Sequence, residues 1–204
     1  TTVLPHLETV GINSSQAQEK LFAHYELEGQ ENGRLKCFNA YRHSFVPHAM
    51  TPEFRDSLKP NKYEDFFMSF DFKGMEVYML AWMSKDPVLM RLCNEQDIYV
   101  ALYKEIFKKE CQSKTDREFS KKIFLPVIYG QSAYSLSSRS GLAIDVTEMI
   151  VERIHLLFST ALAFVESYQT QISQNGFVKD IFGRRRYNFE EGKEYAVRNF
   201  CVQA

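Results

Sequence analysis

The sequence predicts an α+β protein in which two hairpins bracket a helical middle, and three observations carry that prediction. Apolar residues recur every three or four positions through "DPVLMRLCNEQDIYVALYKEIFKKE" (86–110) and "DVTEMIVERIHLLFSTALAFVESYQTQI" (145–172), the spacing that gives a helix one apolar face. "EGQENGRLKCF" (28–38) sets a Gly- and Asn-rich turn between short strand-like flanks. "NGFVKDIFGRRRYNF" (175–189) alternates apolar and polar residues around a second turn at Gly183.

Taken in order, "SSQAQEKLFAHY" (14–25) reads as a polar helix leading to the first hairpin. "YEDFFMSFDF" (63–72) is a compact aromatic run and predicts a buried strand ending near Asp71. Gly74 then opens "MEVYMLAWMSKDP" (75–87), whose length suits a short buried helix stopped by Pro87. The 145–172 helix takes its cap from Asp145 or Thr147. "GKEYAVRNFCVQA" (192–204) begins another helix whose pattern is still running at Ala204, which predicts a piece of a longer chain.

A hydrophobic content of 45% with 17 Phe and 11 Tyr excludes a disordered chain, and 204 residues suffice for one substantial core or a core with a smaller lobe. Cys37, Cys93, Cys111 and Cys201 form no C-x-x-C pair, so a reducing compartment is expected. Residues 1–30 lack the order of a signal peptide, and "IHLLFSTALAFV" (154–165) is too short to span a bilayer. An intracellular, cytoplasmic protein with no membrane partner is expected. The Asn13 sequon is then a chance match. A formal charge of −1 excludes a surface that is basic throughout, leaving local patches such as Arg184, Arg185 and Arg186.

Chemistry concentrates in two places. In "REFSKKIFLPVIYG" (117–130), Arg117 and Lys121 are four residues apart and share a helix face, with Leu125 and Tyr129 continuing the ridge. Arg brings a planar fork and Lys a compact charge, a pair suited to a polyphosphate. The same pattern also describes an ordinary solvated helix turn, and both readings stand at this point. Asp71, at the end of an apolar run, suits either a metal ligand or a helix cap, and Glu76, set among apolar residues, is expected to be buried and either functional or paired. The five histidines show no H-E-x-x-H spacing, and neither a P-loop nor a G-x-G-x-x-G is present.

In sequence order these pieces resemble the polymerase region of the family A DNA polymerases. "DFKGMEVYMLA" resembles the family's motif A through Asp71 and Glu76, and "REFSKKIFLPVIYG" its R-x3-K-x7-YG motif through Arg117, Lys121, Tyr129 and Gly130. "NGRL" at Arg34, "FGRRRY" (182–187) and "NFCVQA" (199–204) resemble flanking motifs. The resemblance implies the right-hand polymerase fold: a stub at 1–30, a partial palm with antiparallel sheet at 31–85, helical fingers at 86–174 and a second palm piece at 175–204. It implies transfer of a deoxynucleotide from a dNTP to a primer 3′-hydroxyl with release of pyrophosphate, primer–template DNA as partner, and a monomer, from a phage given the drift from the bacterial pattern.

By the same resemblance, the Asp71 carboxylate and the Phe72 carbonyl bind two Mg2+ ions. Arg117 and Lys121 hold the triphosphate, Lys121 also giving a proton to pyrophosphate. Glu76 excludes the ribose 2′-hydroxyl, and Tyr129 meets the template base or closes the nucleotide pocket. Arg34 and Gln203 probe the minor groove with help from Asn199, while Arg184, Arg185 and Arg186 contact DNA phosphates.

Four departures follow. Leu125 stands where the family usually has Phe or Tyr, predicting altered discrimination at the sugar 3′ position. Pro126 replaces a usual glycine and removes the helix bond to the Lys122 carbonyl, predicting a kink. Tyr99 stands where a histidine commonly reaches the phosphates. The family's H-D-E segment is absent from the 204 residues, so this piece alone is expected to be inactive. The alternative is a non-catalytic nucleic-acid-binding module of polymerase-like fold.

Overall fold

Between Lys85 and Asp86 the chain turns sharply from one helix into the next, and this corner organises much of the molecule. Lys85 takes a left-handed backbone (φ 56°) that ends α1 (Met75–Ser84). Asp86 then caps α2 (Pro87–Leu92), its Oδ1 accepting from the backbone N–H of Val88 and Leu89 at 3.0 Å each. Its other oxygen accepts from the N–H of Ala161 at 3.0 Å, across 75 residues. Asp86 is only 1% exposed, and three backbone donors are what make so buried a carboxylate tolerable.

The computed structural model describes residues 23–26, 35–38, 46, 50–51, 53, 56, 58, 64–68, 70–187 and 194–203. The chain forms two compact units, Thr1–Asp71 and Phe72–Ala204. In the first, β1 (His24–Glu26) pairs antiparallel with β2 (Lys36–Phe38) in the register Tyr25 to Cys37, so the expected hairpin is present. His24 and Tyr25, the end of the expected first helix, are strand instead, because they pair with Phe38 and Cys37. Ala23 before them has no regular structure, and 14–22 lie outside the described residues.

The expected strand at 63–72 does not form in its described part. Residues 65–68 and 70–72 have no regular structure, with Phe66 74%, Phe70 85% and Phe72 78% exposed. A strand needs a neighbour to take up its backbone N–H and C=O groups, and among the described residues each sheet holds two strands, neither drawn from this segment. Aromatic content alone does not make a strand.

In the second unit, α1 and α2 lead to α3 (Ile98–Phe107), α4 (Lys114–Ile128), α5 (Ala133–Ser140), α6 (Ile144–Leu157) and α7 (Ser159–Asn175). The 86–110 pattern is therefore two helices, parted where Asp97 starts α3 by accepting from the N–H of Tyr99 and Val100. The 145–172 pattern is also two. Phe158, at φ −115° and ψ 37°, interrupts it, and its fully buried ring packs edge-on against Phe124 with centroids 5.0 Å apart. Burying such a ring is worth about 2 kcal/mol, enough to offset a lost helix bond. Ala143, not Asp145 or Thr147, holds the cap position of α6. Thr147 is buried and donates to the carbonyl of Ala133 at 3.0 Å, tying α6 to the start of α5.

The core runs through Leu80, Leu89, Ile98, Leu102, Ile123, Phe124, Ile128, Ile154, Phe158 and Val165, supplied by six helices and the break between two of them. The second expected hairpin forms as β3 (Phe177–Lys179) and β4 (Arg185–Tyr187), in the register Val178 to Arg186, and α8 (Glu194–Gln203) follows. The architecture is α+β, mostly helical with small antiparallel sheets. Among the described residues no helix is long and apolar enough to cross a membrane.

Candidate functional site

The start of α4 is fixed before its cations are placed. Ser113 accepts from the N–H of Asp116 at 3.1 Å, and Asp116 reaches back to the N–H of Ser113 at 3.0 Å, a reciprocal cap that satisfies two otherwise open donors. One turn on, Arg117 and Lys121 each lie over the Tyr99 ring, with cation-to-centroid distances of 5.2 and 5.9 Å. Ser120, fully buried, donates to the Tyr99 carbonyl at 2.6 Å and so pins α4 to α3. The Arg117–Lys121 pair and Tyr99, nominated separately from the sequence, are thus brought together.

Two further residues join them. Asp97 Oδ2 accepts from Arg117 Nε at 2.9 Å and from Lys73 Nζ at 2.7 Å, while Oδ1 caps α3. Partial burial pushes the Asp97 carboxyl up, but the bonds from Lys73 and Arg117 and the Tyr99 N–H outweigh it and bring its pKa down to about 2. The same bond to Asp97 raises the pKa of Arg117. Burial raises that of the Tyr99 phenol, and the nearby Glu76 charge adds to this. Arg117 also pairs through a terminal nitrogen with Glu118 at 3.0 Å.

Glu76 is half-exposed in the first turn of α1, not buried as expected. A carboxylate there is stabilised by the exposed N–H groups of the helix start. Asp71 and Phe72 are exposed, so the cost of burial assumed for Asp71 does not arise. Among the described residues no group of three His, Cys, Asp or Glu side chains could hold a metal ion. The Asp71 carboxylate and the Phe72 carbonyl match Mg2+ in kind, as hard oxygen donors, and fall short of its six-ligand shell in number.

Further along α4 the ridge turns inward: Leu125 and Tyr129 are each 8% exposed, and the helix continues through Pro126 to Ile128. Gly130 follows at φ 99°, and a Cβ built there would run into the Arg198 guanidinium of α8. A cleft of about 480 Å³ opens beside it, lined by Pro126, Tyr129, Gly130, Gln131, Ser132, Ser135 and Arg139.

The arginine triplet divides by strand alternation. Arg184 and Arg186 lie over Phe200 of α8 at 5.4 and 5.9 Å, and Arg185 lies over Phe177 at 4.6 Å. Arg184 Nε also donates to Asp180 at 3.1 Å. Asn199 and Gln203 fall on α8, and Arg34 lies outside the described residues. Sequence reasoning missed Asp97, Lys73 and Arg198. An Asp immediately before an apolar-periodic run is a helix-start signal and marks Asp97; the other two leave no such trace.

Comparison with known proteins bears on the chain's family and fold. The profile of DNA polymerase family A matches residues 5–201. DNA polymerase I of Synechocystis sp. is 28% identical over 136 residues, covering 66% of this chain and 14% of that protein. DNA polymerase I of Bacillus subtilis is 27% identical over 154 residues, 74% of this chain and 17% of that protein. The matched part therefore spans about one-seventh to one-sixth of the length of these relatives. A solved structure, the POL domain of Pol1 from M. smegmatis in complex with DNA primer-template and dNTP, superposes with a TM-score of 0.67 at 14% identity, over 99% of this chain and 36% of that one. That likeness concerns the fold, and the profile match over nearly the whole length supplies the kinship: the chain belongs to DNA polymerase family A.

Proposed function

We propose that this chain carries the nucleotide-handling part of a template-directed DNA polymerase, which transfers a deoxynucleotide from a dNTP to a primer 3′-hydroxyl and releases pyrophosphate. The observation that carries this reading is the pair Arg117 and Lys121, one helical turn apart over the Tyr99 ring, on a helix with the spacing R-x3-K-x7-YG. Two rigidly presented cations can each contribute about 1.5–3 kcal/mol in charge-assisted bonds to phosphate oxygens. Lys121, the more exposed of the two, is the group to give a proton to the departing pyrophosphate.

In this reading α2 to α7 belong to the fingers of the right-hand fold, β2 and α1 to the first palm piece, and the second hairpin and α8 to the second. Glu76, half-exposed and close enough to act on Tyr99 electrostatically, is assigned to the 2′ side of the sugar. Tyr129 and Leu125 close the pocket where α4 enters the core, with Tyr129 facing the template base. Arg34, Asn199 and Gln203 take the minor groove of primer–template DNA, and the hairpin arginines its phosphates. Asp71 and Phe72 are the chain's share of a divalent-cation site. Mg2+ bound there, two ions being expected in the complete enzyme, would supply Lewis acidity to the transfer.

The test is single-nucleotide primer extension by the full-length protein, wild type against Asp71→Ala and Lys121→Ala. Loss of at least 100-fold in kcat for each is expected from removing groups that act on developing charge, on the order seen for such donors. Undiminished extension by both variants would sink the reading, and salt-dependent DNA binding without extension by the wild type would favour a non-catalytic binding module.

A further inference from the structure

Asp97 touches both the segment following Asp71 and the phosphate-facing helix, since Lys73 lies two residues beyond Asp71 in the chain and Arg117 lies on α4. Its two oxygens divide the work. Oδ1 accepts from the N–H groups of Tyr99 and Val100 at 3.0 and 3.4 Å, which fixes the carboxylate to the start of α3, and Oδ2 faces the two cations. We propose that Asp97 is a positioning residue for the nucleotide: anchored by α3, it holds the Arg117 guanidinium by Nε and presents its terminal nitrogens to the triphosphate. This inference rests on the nucleotide-handling role proposed for α4.

The choice of nitrogen matters. A guanidinium bonded through Nε can still offer its two-pronged end to phosphate oxygens. The bond from a terminal nitrogen to Glu118 occupies part of that end, but Glu118 is the more exposed carboxylate, 35% against 20% for Asp97, and adjoins Arg117 in sequence. Exposed pairs of that kind contribute under about 1 kcal/mol, so an arriving phosphate displaces Glu118 and leaves the anchored Asp97 in place. The Tyr99 ring beneath Arg117 and Lys121 restricts the fork further, while Lys73 shares the Asp97 charge. A fork held in this way loses less conformational entropy on binding than a free arginine.

The test is Asp97→Asn, which keeps an oxygen able to cap α3 and removes the charge. In single-nucleotide incorporation by the full-length protein, the nucleotide KM should rise about tenfold, with kcat within about twofold and primer–template affinity unchanged, the pattern of lost uniform binding. In an Arg117→Ala background the same substitution should add nothing further, because its effect runs through Arg117. A merely structural Asp97 would lower thermal stability without this split or this coupling. An unchanged or lowered KM in Asp97→Asn, or full additivity with Arg117→Ala, overturns the inference and leaves the polymerase reading intact. If Arg117→Ala itself leaves the nucleotide KM unchanged, the nucleotide role of α4 fails, and this inference with it.

Discussion

The carboxylate of Asp86 and the backbone N–H of Ala161 form a buried hydrogen bond of 3.0 Å that joins the start of α2 to the first turn of α7. Removing the carboxylate strands three backbone donors at once, two of them in α2. Asp86→Ala is therefore expected to cost about 3–5 kcal/mol, and Asp86→Asn, which keeps one acceptor, distinctly less. Chemical denaturation with a fixed m-value measures both, and equal costs for the two variants would show that charge rather than acceptor number matters.

Ser120→Ala should destabilise the chain by about 1–3 kcal/mol, because it leaves the Tyr99 carbonyl without the buried hydroxyl it accepts from. Ser120→Thr would keep that donor and test whether the added methyl fits. The same melting curves that rank these variants decide the matter, and a Ser120→Ala protein as stable as wild type would contradict the bond.

Gly130→Ala puts a side chain on a backbone at φ 99° and pushes aside the Arg198 guanidinium. The backbone strain alone is about 1–3 kcal/mol. Because the atoms met are the far end of a flexible side chain, Arg198→Ala in the same protein should recover only the packing part of the loss. Complete recovery would mean the backbone conformation carries no strain.

Asp97 makes stability depend on pH in a defined window. Its pKa of about 2 lies below its ordinary value, so folding binds fewer protons, and the stabilisation is fully present above about pH 4. It is lost as pH falls through about 2. Discounted for solvent screening, a shift of this size is worth about 1 kcal/mol. Denaturation followed from pH 5 to pH 2 should show a steeper loss for wild type than for Asp97→Asn, and parallel curves would count against the ion pair.

Leu125→Phe enlarges a side chain that is already buried, so about 1–3 kcal/mol of overpacking is expected alongside any functional change. On the proposed function it should also alter the ratio of dideoxy- to deoxynucleotide incorporation, since a ring would then border the sugar. Competitive incorporation assays read that ratio directly, and an identical ratio in the two proteins removes Leu125 from sugar selection.

Local patterns and non-local partners were legible to very different degrees. The α4 helix, its Arg117–Lys121 face and the β3–β4 hairpin depend on neighbours within a few residues, so spacing and turn chemistry were enough to read them. The failed strand at 63–72 depends on a distant partner strand, about which an aromatic run is silent. Phe158 escaped notice for a related reason: a period of three to four continues through it, and only the opposing Phe124 ring reveals why the backbone departs there. Lys73 was invisible because its role exists only through Asp97, 24 residues away.

The interruption at Phe158 also bears on motion. A gap between two helices looks like a natural hinge, yet bending α6 against α7 there would pull a fully buried ring away from Phe124. Exposing it costs about 2–3 kcal/mol, so a bent state would hold on the order of one per cent of molecules. Helices α4, α6 and α7 should accordingly move as one rigid body, any flexing being left to the connections at their outer ends.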